Sequence, residues 1–237
     1  MKIAIYGDSF ADTKNIFLPE NDYSWVNCLK NKNYDITNYA QAASSLHYSY
    51  DNFIKTHKDY DKIIFVFTGR DRFILEGLPG DDKFITVSMV DYIKSRMDFS
   101  DYNATQREMV EACRLYYKYI VNYEKEALFH GFLIKEIRNI RPDGLYIPCF
   151  PDCFLPGTEI ENVIDLNYFS TFDYNYFNLS VPGTKSNYVD KRYCHMNEGN
   201  NRMLANKVEH WLKTAQFTLT KDDAVNPTNI LEYYFLG

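Results

Sequence analysis

The feature that most constrains the fold is a series of short apolar runs separated by helical segments. Residues 3–6, 35–39, 62–68 and 144–148 each read as a strand, and residues 162–166 are a candidate fifth. The strongest run, residues 62–68, is continuously apolar, which favours central parallel strands covered on both faces. The pattern therefore predicts an α/β fold: a three-layer, doubly wound (flavodoxin-like) parallel sheet of about five strands.

Helical periodicity fills the intervals between these runs. It predicts helices over residues 24–32, 48–57, 103–140 and 197–213, with Asn197 as the cap of the last. We expect a break in the third helix at His130-Gly131 and a helical insertion over about residues 72–140. One domain, residues 1–216, would then be followed by a C-terminal extension, residues 217–237.

Composition and charge exclude several classes of function. The chain of 237 residues has a net charge of -6, and its densest basic stretch, residues 135–141, is interrupted by Glu136 and apolar residues, so no nucleic-acid partner is expected. No run approaches the roughly 20 apolar residues of a membrane span. The first ten residues lack the features of a signal peptide, which favours a cytoplasmic setting.

The five cysteines have no framework spacing and are expected to be free thiols. They are Cys28, Cys113, Cys149, Cys153 and Cys194. Cys149 and Cys153 form a single close pair, whereas structural zinc sites usually need two, so packing thiols are the favoured interpretation and no metal or cofactor is expected. The aromatic, Asn-rich residues 167–193 either fill the core or form a loop that contacts a protein partner, a second copy of the chain or a sugar.

Chemistry-bearing residues follow the predicted strands. Parallel sheets place their sites at the carboxyl ends of the strands, here residues 7–9, 40–45 and 69–71. Ser9 follows the first strand on a turn that begins with Gly7, and a serine nucleophile needs a base within hydrogen-bond reach. His195 precedes the closing helix and is the candidate base. His47 also lies near a strand end, whereas His57, His130 and His210 are interpreted as surface or packing residues.

Taken singly, these signals are weak, because Gly-Asp-Ser is also an ordinary turn sequence. Together they carry a resemblance. Ile5-Tyr-Gly-Asp-Ser-Phe10 resembles the first block of the SGNH (GDSL-like) hydrolases, and Cys194-His-Met-Asn-Glu-Gly199 resembles their last block. The resemblance implies that Ser9 is the nucleophile, that its backbone N–H joins the oxyanion hole and that His195 is the base.

The middle blocks are similar with departures. Residues 38–45 resemble the second block, with Ala43 at the position of an oxyanion-hole glycine, and residues 67–71 resemble the third, with Asp71 in place of an asparagine. Asp8, Ala43, Gly69, Arg70 and Asp71 form the implied oxyanion and substrate-binding set. An ionised Asp71 would repel the oxyanion unless it is protonated, paired with Arg70 or Arg72, or functionally replaced by one of those arginines.

The third member of the triad also departs from the family. An aspartate is expected three residues before the histidine, where this chain has Arg192; Asp190 is the nearest carboxylate. Either Asp190 orients His195, or the site is a Ser-His dyad oriented by a backbone carbonyl. The expected function is hydrolysis of a small acyl ester or an acetylated carbohydrate through an acyl-enzyme. The alternative is a catalytically weakened binding or structural protein of the same fold.

Overall fold

A single parallel sheet forms the centre of the molecule. The computed structural model describes residues 1–13, 24–42, 44–70, 72–74, 84–86, 103–150, 160, 163, 165–166, 196 and 198–224. The strands are β1 (Lys2–Tyr6), β2 (Asp35–Asn38), β3 (Lys62–Phe67), β4 (Arg72–Ile74), β5 (Phe84–Thr86) and β6 (Leu145–Pro148). Four of them pair in parallel in the order β2-β1-β3-β6. The α/β class and the four strongest predicted strands are confirmed.

The sheet is buried because its strands are apolar on both faces. In β1 and β3, residues 3–6 and 63–67 are fully buried, as the continuous apolar runs predict. Tyr6 stacks on Tyr39 and on Phe65 at centroid distances of 5.3 and 5.6 Å. Within the described residues the predicted fifth strand is not part of this sheet: Val163 forms only an isolated bridge with Leu219.

Five helices surround the sheet in the described part of the chain. They are α1 (Trp25–Lys30), α2 (Leu46–Thr56), α3 (Ala104–Tyr119), α4 (Tyr123–Ile140) and α5 (Glu198–Thr214). The predicted break at His130-Gly131 is wrong, because both residues lie inside α4. The helices separate instead at residues 120–122, where the Asn122 side chain accepts a hydrogen bond from the backbone N–H of Lys125 and caps α4. Asn197 lies outside the described residues.

The insertion after β3 is not helical throughout. It opens with β4 and β5, which pair antiparallel with Arg72 opposite Thr86, and it becomes helical where Asn103 and Gln106 form a capping box at the start of α3. The predicted helical insertion over about residues 72–140 therefore includes two short strands near its start. Strands of three residues are too short to produce a readable alternation in sequence.

Helix pairing follows from the strand order. Helix α1 packs on α5, and α2 packs on α4. The chain moves from β1 to β2 on one side and from β2 to β3 across β1, so right-handed crossovers place α1 and α2 on opposite faces. This order is consistent with the predicted three layers, and it puts the topological switch between the carboxyl ends of β1 and β3.

Residues 217–224, predicted as the start of an extension beyond the core, pack on it. Leu219 is buried in the core cluster, and Phe217 and Ala224 pack against that cluster. Lys207 of α5 also forms a 2.7 Å ion pair with Asp223. Among the described helices, none combines the length and the apolar character required to cross a bilayer.

The turn after β1 requires glycine at position 7. Gly7 has φ +152°, and a Cβ added there would lie 2.7 Å from Val66 Cβ and 2.9 Å from the Val66 carbonyl oxygen of β3. Such a contact leaves no room for a methyl group, because the neighbouring atoms belong to a buried strand. The turn after β1 therefore lies close against Val66 of β3 just before Ser9.

We expect Gly7→Ala to lower the free energy of unfolding by about 3 kcal/mol, from backbone strain together with overpacking. Chemical denaturation at equilibrium measures this loss. Asn33→Ala is the matched control, because Asn33 also has a positive φ of 64° but is exposed, and its loss should be about 1 kcal/mol. Equal losses in the two variants would show that the contact with Val66 is unimportant.

Candidate active site at the carboxyl ends of the strands

Ser9 lies on a tight turn at the carboxyl end of β1. The backbone N–H groups of Ala11 and Asp12 both donate to the Asp8 carbonyl, at 3.0 and 2.9 Å, which gives the turn a helical start. Ser9 is 8% exposed. No described residue forms a hydrogen bond with its hydroxyl or its backbone N–H. Both groups are thus left for a ligand or for a residue outside the described ranges.

The Asp8 carboxylate holds this turn in place by accepting hydrogen bonds on both of its oxygens. Oδ1 accepts from the backbone N–H of Phe10 at 3.0 Å and from the Cys149 thiol at 3.1 Å. Oδ2 accepts from the Thr68 hydroxyl at 2.8 Å and from Arg72 Nη1 at 2.9 Å. These donors follow β1, β6 and β3 or belong to β4, so one side chain joins the ends of four strands.

Asp8 is fully buried, which corrects its predicted place in the substrate-binding set. Its carboxylate faces protein donors and has no surface for a ligand. A buried carboxylate is tolerated only where several donors compensate for lost hydration, and four donors do so here. Asp8 is therefore a positioning residue for Ser9 in this structure.

The loop after β2 is fastened to the same turn. The Asp12 carboxylate accepts from the backbone N–H of Ala42 at 2.8 Å. The Gly7 carbonyl accepts from the backbone N–H of Gln41 at 3.1 Å and from the Ser44 hydroxyl at 3.0 Å. Ala43 itself lies outside the described residues, but both of its sequence neighbours are held against the turn that carries Ser9.

The start of the closing helix reaches this turn through two side chains. Asn201 of α5 accepts from the backbone N–H of Trp25 at 3.1 Å, and its amide donates to the carbonyl of Met196 at 2.9 Å. The Trp25 indole in turn donates to the Phe10 carbonyl at 2.8 Å. The residue that follows His195 in sequence is thus connected by a short chain of buried hydrogen bonds to the residue that follows Ser9.

Four predicted site residues fall outside the described residues. They are Ala43, Asp71, Asp190 and His195, and the aromatic segment 167–193 falls outside as well. Of the five predicted thiols, Cys28, Cys113 and Cys149 form no disulfide with a described residue, and Cys153 and Cys194 are not described. Among the described residues, no three His, Cys, Asp or Glu side chains come together as a metal site would require.

Gly69 and Arg70, also predicted as substrate-binding, line a cavity of about 350 Å³ beside the Ser9 turn. The first turn of α2 and the first two turns of α4 close it, through Leu46, His47, Lys125, Glu126, Phe129 and His130, and Arg72 completes the wall. Arg72 also donates to Asp8, so this cavity and the Ser9 turn share one side chain. A larger cavity of about 700 Å³ lies along α5 and includes no strand-end residue.

His130 is the functional candidate that sequence reasoning misses. Burial, with Coulombic repulsion from His47 and Arg70, lowers the pKa of His130 to about 4. Its helical register was readable: Ala127, His130, Ile134 and Ile137 recur at three- and four-residue spacing and are all buried. A histidine on the apolar face of a helix is therefore the sequence signal that identifies His130. The sequence contains no comparable signal for Arg72 or Thr68.

Comparisons with known proteins were made for the whole chain. A scan against models of protein families finds no match, and a search of curated proteins finds no significant relative.

Asp8→Asn should lower the free energy of unfolding by about 3–5 kcal/mol, because it leaves the guanidinium of Arg72 without its counter-charge. Denaturant titration measures the loss. Asp51→Asn is the control, since Asp51 pairs with Lys55 on an exposed helix face and should cost less than about 1 kcal/mol. If both variants lose the same small amount, Asp8 is not the anchor of the turn.

Acid should destabilise the fold through His130. Its folded pKa of about 4 lies below the ordinary histidine value of 6.5, so the folded state resists protonation and the unfolded state does not. Stability is then fully present above about pH 6.5 and is lost as the pH falls toward 4, by about 3 kcal/mol at one pKa unit per 1.36 kcal/mol. Unfolding free energies measured from pH 7.5 to 4 in sulfate- and phosphate-free buffers test this.

Two variants isolate the contribution of His130. The pKa of His57 is lowered too, mainly by burial, so part of the acid sensitivity remains in His130→Gln, but the curve should flatten. His210→Gln changes an exposed histidine and should leave the curve as in the parent protein. An unchanged slope in His130→Gln contradicts the assignment.

Proposed function

We propose that the chain is a serine-dependent ester hydrolase of the SGNH type, with Ser9 as its nucleophile. The observation that carries the proposal is the position of Ser9 beside the topological switch of the sheet, where open α/β folds bind ligands. Its turn is held by the buried Asp8, while its hydroxyl and backbone N–H form no hydrogen bond with a described residue. This combination of a fixed backbone and uncommitted reacting groups suits a nucleophile.

In the proposed reaction the Ser9 hydroxyl oxygen attacks the ester carbonyl and His195 accepts the hydroxyl proton. Collapse of the tetrahedral intermediate breaks the bond to the alcohol, which leaves with the proton returned by His195. Water then attacks the acyl-enzyme with the same histidine as base. The acid is released and the Ser9 hydroxyl is restored.

The backbone N–H groups of Ser9 and Ala43 are proposed to hold the oxyanion. Support comes from the Ser9 N–H, which no described residue uses, and from the anchoring of Ala42 and Ser44 to the Ser9 turn. Arg70 lines the adjacent cavity, and either Arg70 or Asp71 has a supporting role in this proposal. Preorganised donors of this kind are each worth about a hundredfold to a thousandfold in rate.

The choice of His195 as base is supported by the hydrogen bonds that connect its neighbour Met196 to Phe10 through Asn201 and Trp25. Either Asp190 or a backbone carbonyl orients the imidazole in this proposal. The substrate class is a small acyl ester or an acetylated carbohydrate. The thiols of Cys28, Cys113 and Cys149, which form no disulfide with a described residue, support a cytoplasmic setting, and residues 167–193 are proposed to contact a protein partner or a second copy.

A fluorophosphonate probe and 4-nitrophenyl acetate test this function. We expect the probe to label Ser9, identified by peptide mass, and the protein to hydrolyse the ester. Ser9→Ala should abolish labelling, and Ser9→Ala and His195→Gln should each lower kcat/KM by about a thousandfold or more.

Ser49→Ala serves as the control, because it removes another buried hydroxyl close to the Gly7 carbonyl without touching Ser9. It should keep both labelling and turnover. An intact mass that stays unchanged after prolonged exposure of folded protein to the probe would instead favour the binding or structural role.

A further inference from the structure

The cavity beside the Ser9 turn lies where two helices begin. Its walls come from the first turn of α2, the first two turns of α4 and the residues that follow β3. Helix α2 has 11 residues and α4 has 18. Helix N-termini present unpaired N–H groups and a partial positive charge, and they attract anions.

Side chains add to this positive character. Arg70, Arg72 and Lys125 line the cavity, whereas Glu126 is the one carboxylate among its described lining residues. The charge of Arg72 is matched by Asp8, and Glu126 accepts a hydrogen bond from the Tyr116 hydroxyl at 3.2 Å. Among the described lining residues, three cationic side chains thus accompany one carboxylate. The chain as a whole has a net charge of -6, so the charge of the cavity lining is opposite in sign to that of the protein.

An incompletely bonded histidine lines the same cavity. His130 is 7% exposed, and its Nε2 atom has no hydrogen-bond partner among the described residues. The imidazole is hydrogen-bonded to the backbone of Thr68, and this bond must therefore be made by the other ring nitrogen. Leaving a buried polar atom unpaired costs about 1–3 kcal/mol, so Nε2 is a group that a ligand would satisfy.

Several charged and titratable groups surround His130. From the described elements packed around it these are His47 of α2, Arg70 and Arg72 after β3, and Lys125 and Glu126 of α4. Burial is the main cause that lowers the pKa of His130, and Coulombic repulsion from His47 and Arg70 adds to it, so the balance of interactions favours the neutral imidazole. An anion in the cavity reverses that balance and favours a proton on Nε2.

We propose that this cavity binds one anionic group, a carboxylate or a phosphate, of the ester that Ser9 attacks, and that Nε2 of His130 takes up a proton from solvent as the anion enters. The inference rests on the proposed hydrolase function and specifies its substrate class. Arg72 lines the cavity and is bonded to Asp8, the residue that precedes Ser9. The volume of about 350 Å³ is at the small end for a ligand site.

Calorimetric titration with sulfate and with acetate tests binding separately from catalysis. Sulfate represents a phosphate group but keeps its charge across the pH range used, and acetate represents a carboxylate. The experiment uses full-length Ser9→Ala protein at constant ionic strength, from pH 7.5 to 6. We expect affinity for sulfate to rise by up to about tenfold per pH unit as proton uptake is coupled to binding.

Proton uptake is measured by repeating each titration in two buffers of different ionisation enthalpy. Lys125→Ala should weaken binding by roughly fivefold, the size of one exposed charge interaction, whereas Lys135→Ala, an exposed lysine on the same helix, should not. His130→Gln should abolish both the pH dependence and the proton uptake. Absence of binding by both anions, or equal binding by the two lysine variants, overturns the site, and binding without proton uptake overturns the role of His130.

Two matched esters test the substrate class on the parent protein. The half-ester mono-4-nitrophenyl succinate carries a free carboxylate, and its methyl ester does not. We expect kcat/KM to be higher for the half-ester, and the ratio between the two to fall in Lys125→Ala but not in Lys135→Ala.

The outcomes distinguish this inference from the proposed function. Hydrolysis of both esters at equal rates, without sulfate or acetate binding, overturns the anion site and leaves the hydrolase standing. Anion binding in Ser9→Ala protein without hydrolysis of either ester by the parent overturns the assignment to a substrate and the hydrolase with it. The anion that binds more tightly identifies the carboxylate or the phosphate as the natural group.

Discussion

The structure at the carboxyl ends of the strands depends on the hydrogen bonds of the buried Asp8 carboxylate. A carboxylate without water is stable only where donors surround it, and here the donors come from the turn after β1, from Thr68, from Arg72 and from Cys149. Because these groups follow or belong to different strands, satisfying one side chain forces their loops to converge. The position of Ser9 follows from that convergence.

A second layer of polar contacts brings distant parts of the chain to the same place. Gly7 makes a close approach to β3 and offers its carbonyl to the loop after β2, and Asn201 connects the closing helix to α1. None of these contacts is strong individually. Together they join residues from both ends of the sequence into one network, so the proposed nucleophile and the segment containing its proposed base are coupled to the same scaffold.

The sequence predicts those parts of the fold that depend on local pattern. Strands such as residues 62–68 are evident because burial on both faces demands continuous apolar side chains. The predicted break at His130-Gly131 is wrong because a single glycine is tolerated inside a helix. The boundary between α3 and α4 is set instead by the cap at Asn122. The pairing of β4 with β5 depends on strands too short to carry a period.

The candidate site likewise has parts that local sequence predicts and parts that depend on long-range contacts. Ser9 was found because a turn sequence after a strand is local, but the burial of Asp8 by Arg72 and Cys149 depends on contacts 64 and 141 residues apart. The cavity at His130 likewise requires the ends of two helices to meet a strand end, which no spacing rule reports. Long-range polar contacts are set by topology, so they become visible only when the fold is known.

The hydrogen bond from the Trp25 indole to the Phe10 carbonyl has a practical consequence. The chain has two tryptophans. Trp25 is fully buried, and its indole N–H is hydrogen-bonded to the turn that carries Ser9. Its fluorescence emission is therefore sensitive to the polarity and movement of that turn. With Trp211 replaced by phenylalanine, the emission of Trp25 would report optically on events at the turn that carries Ser9.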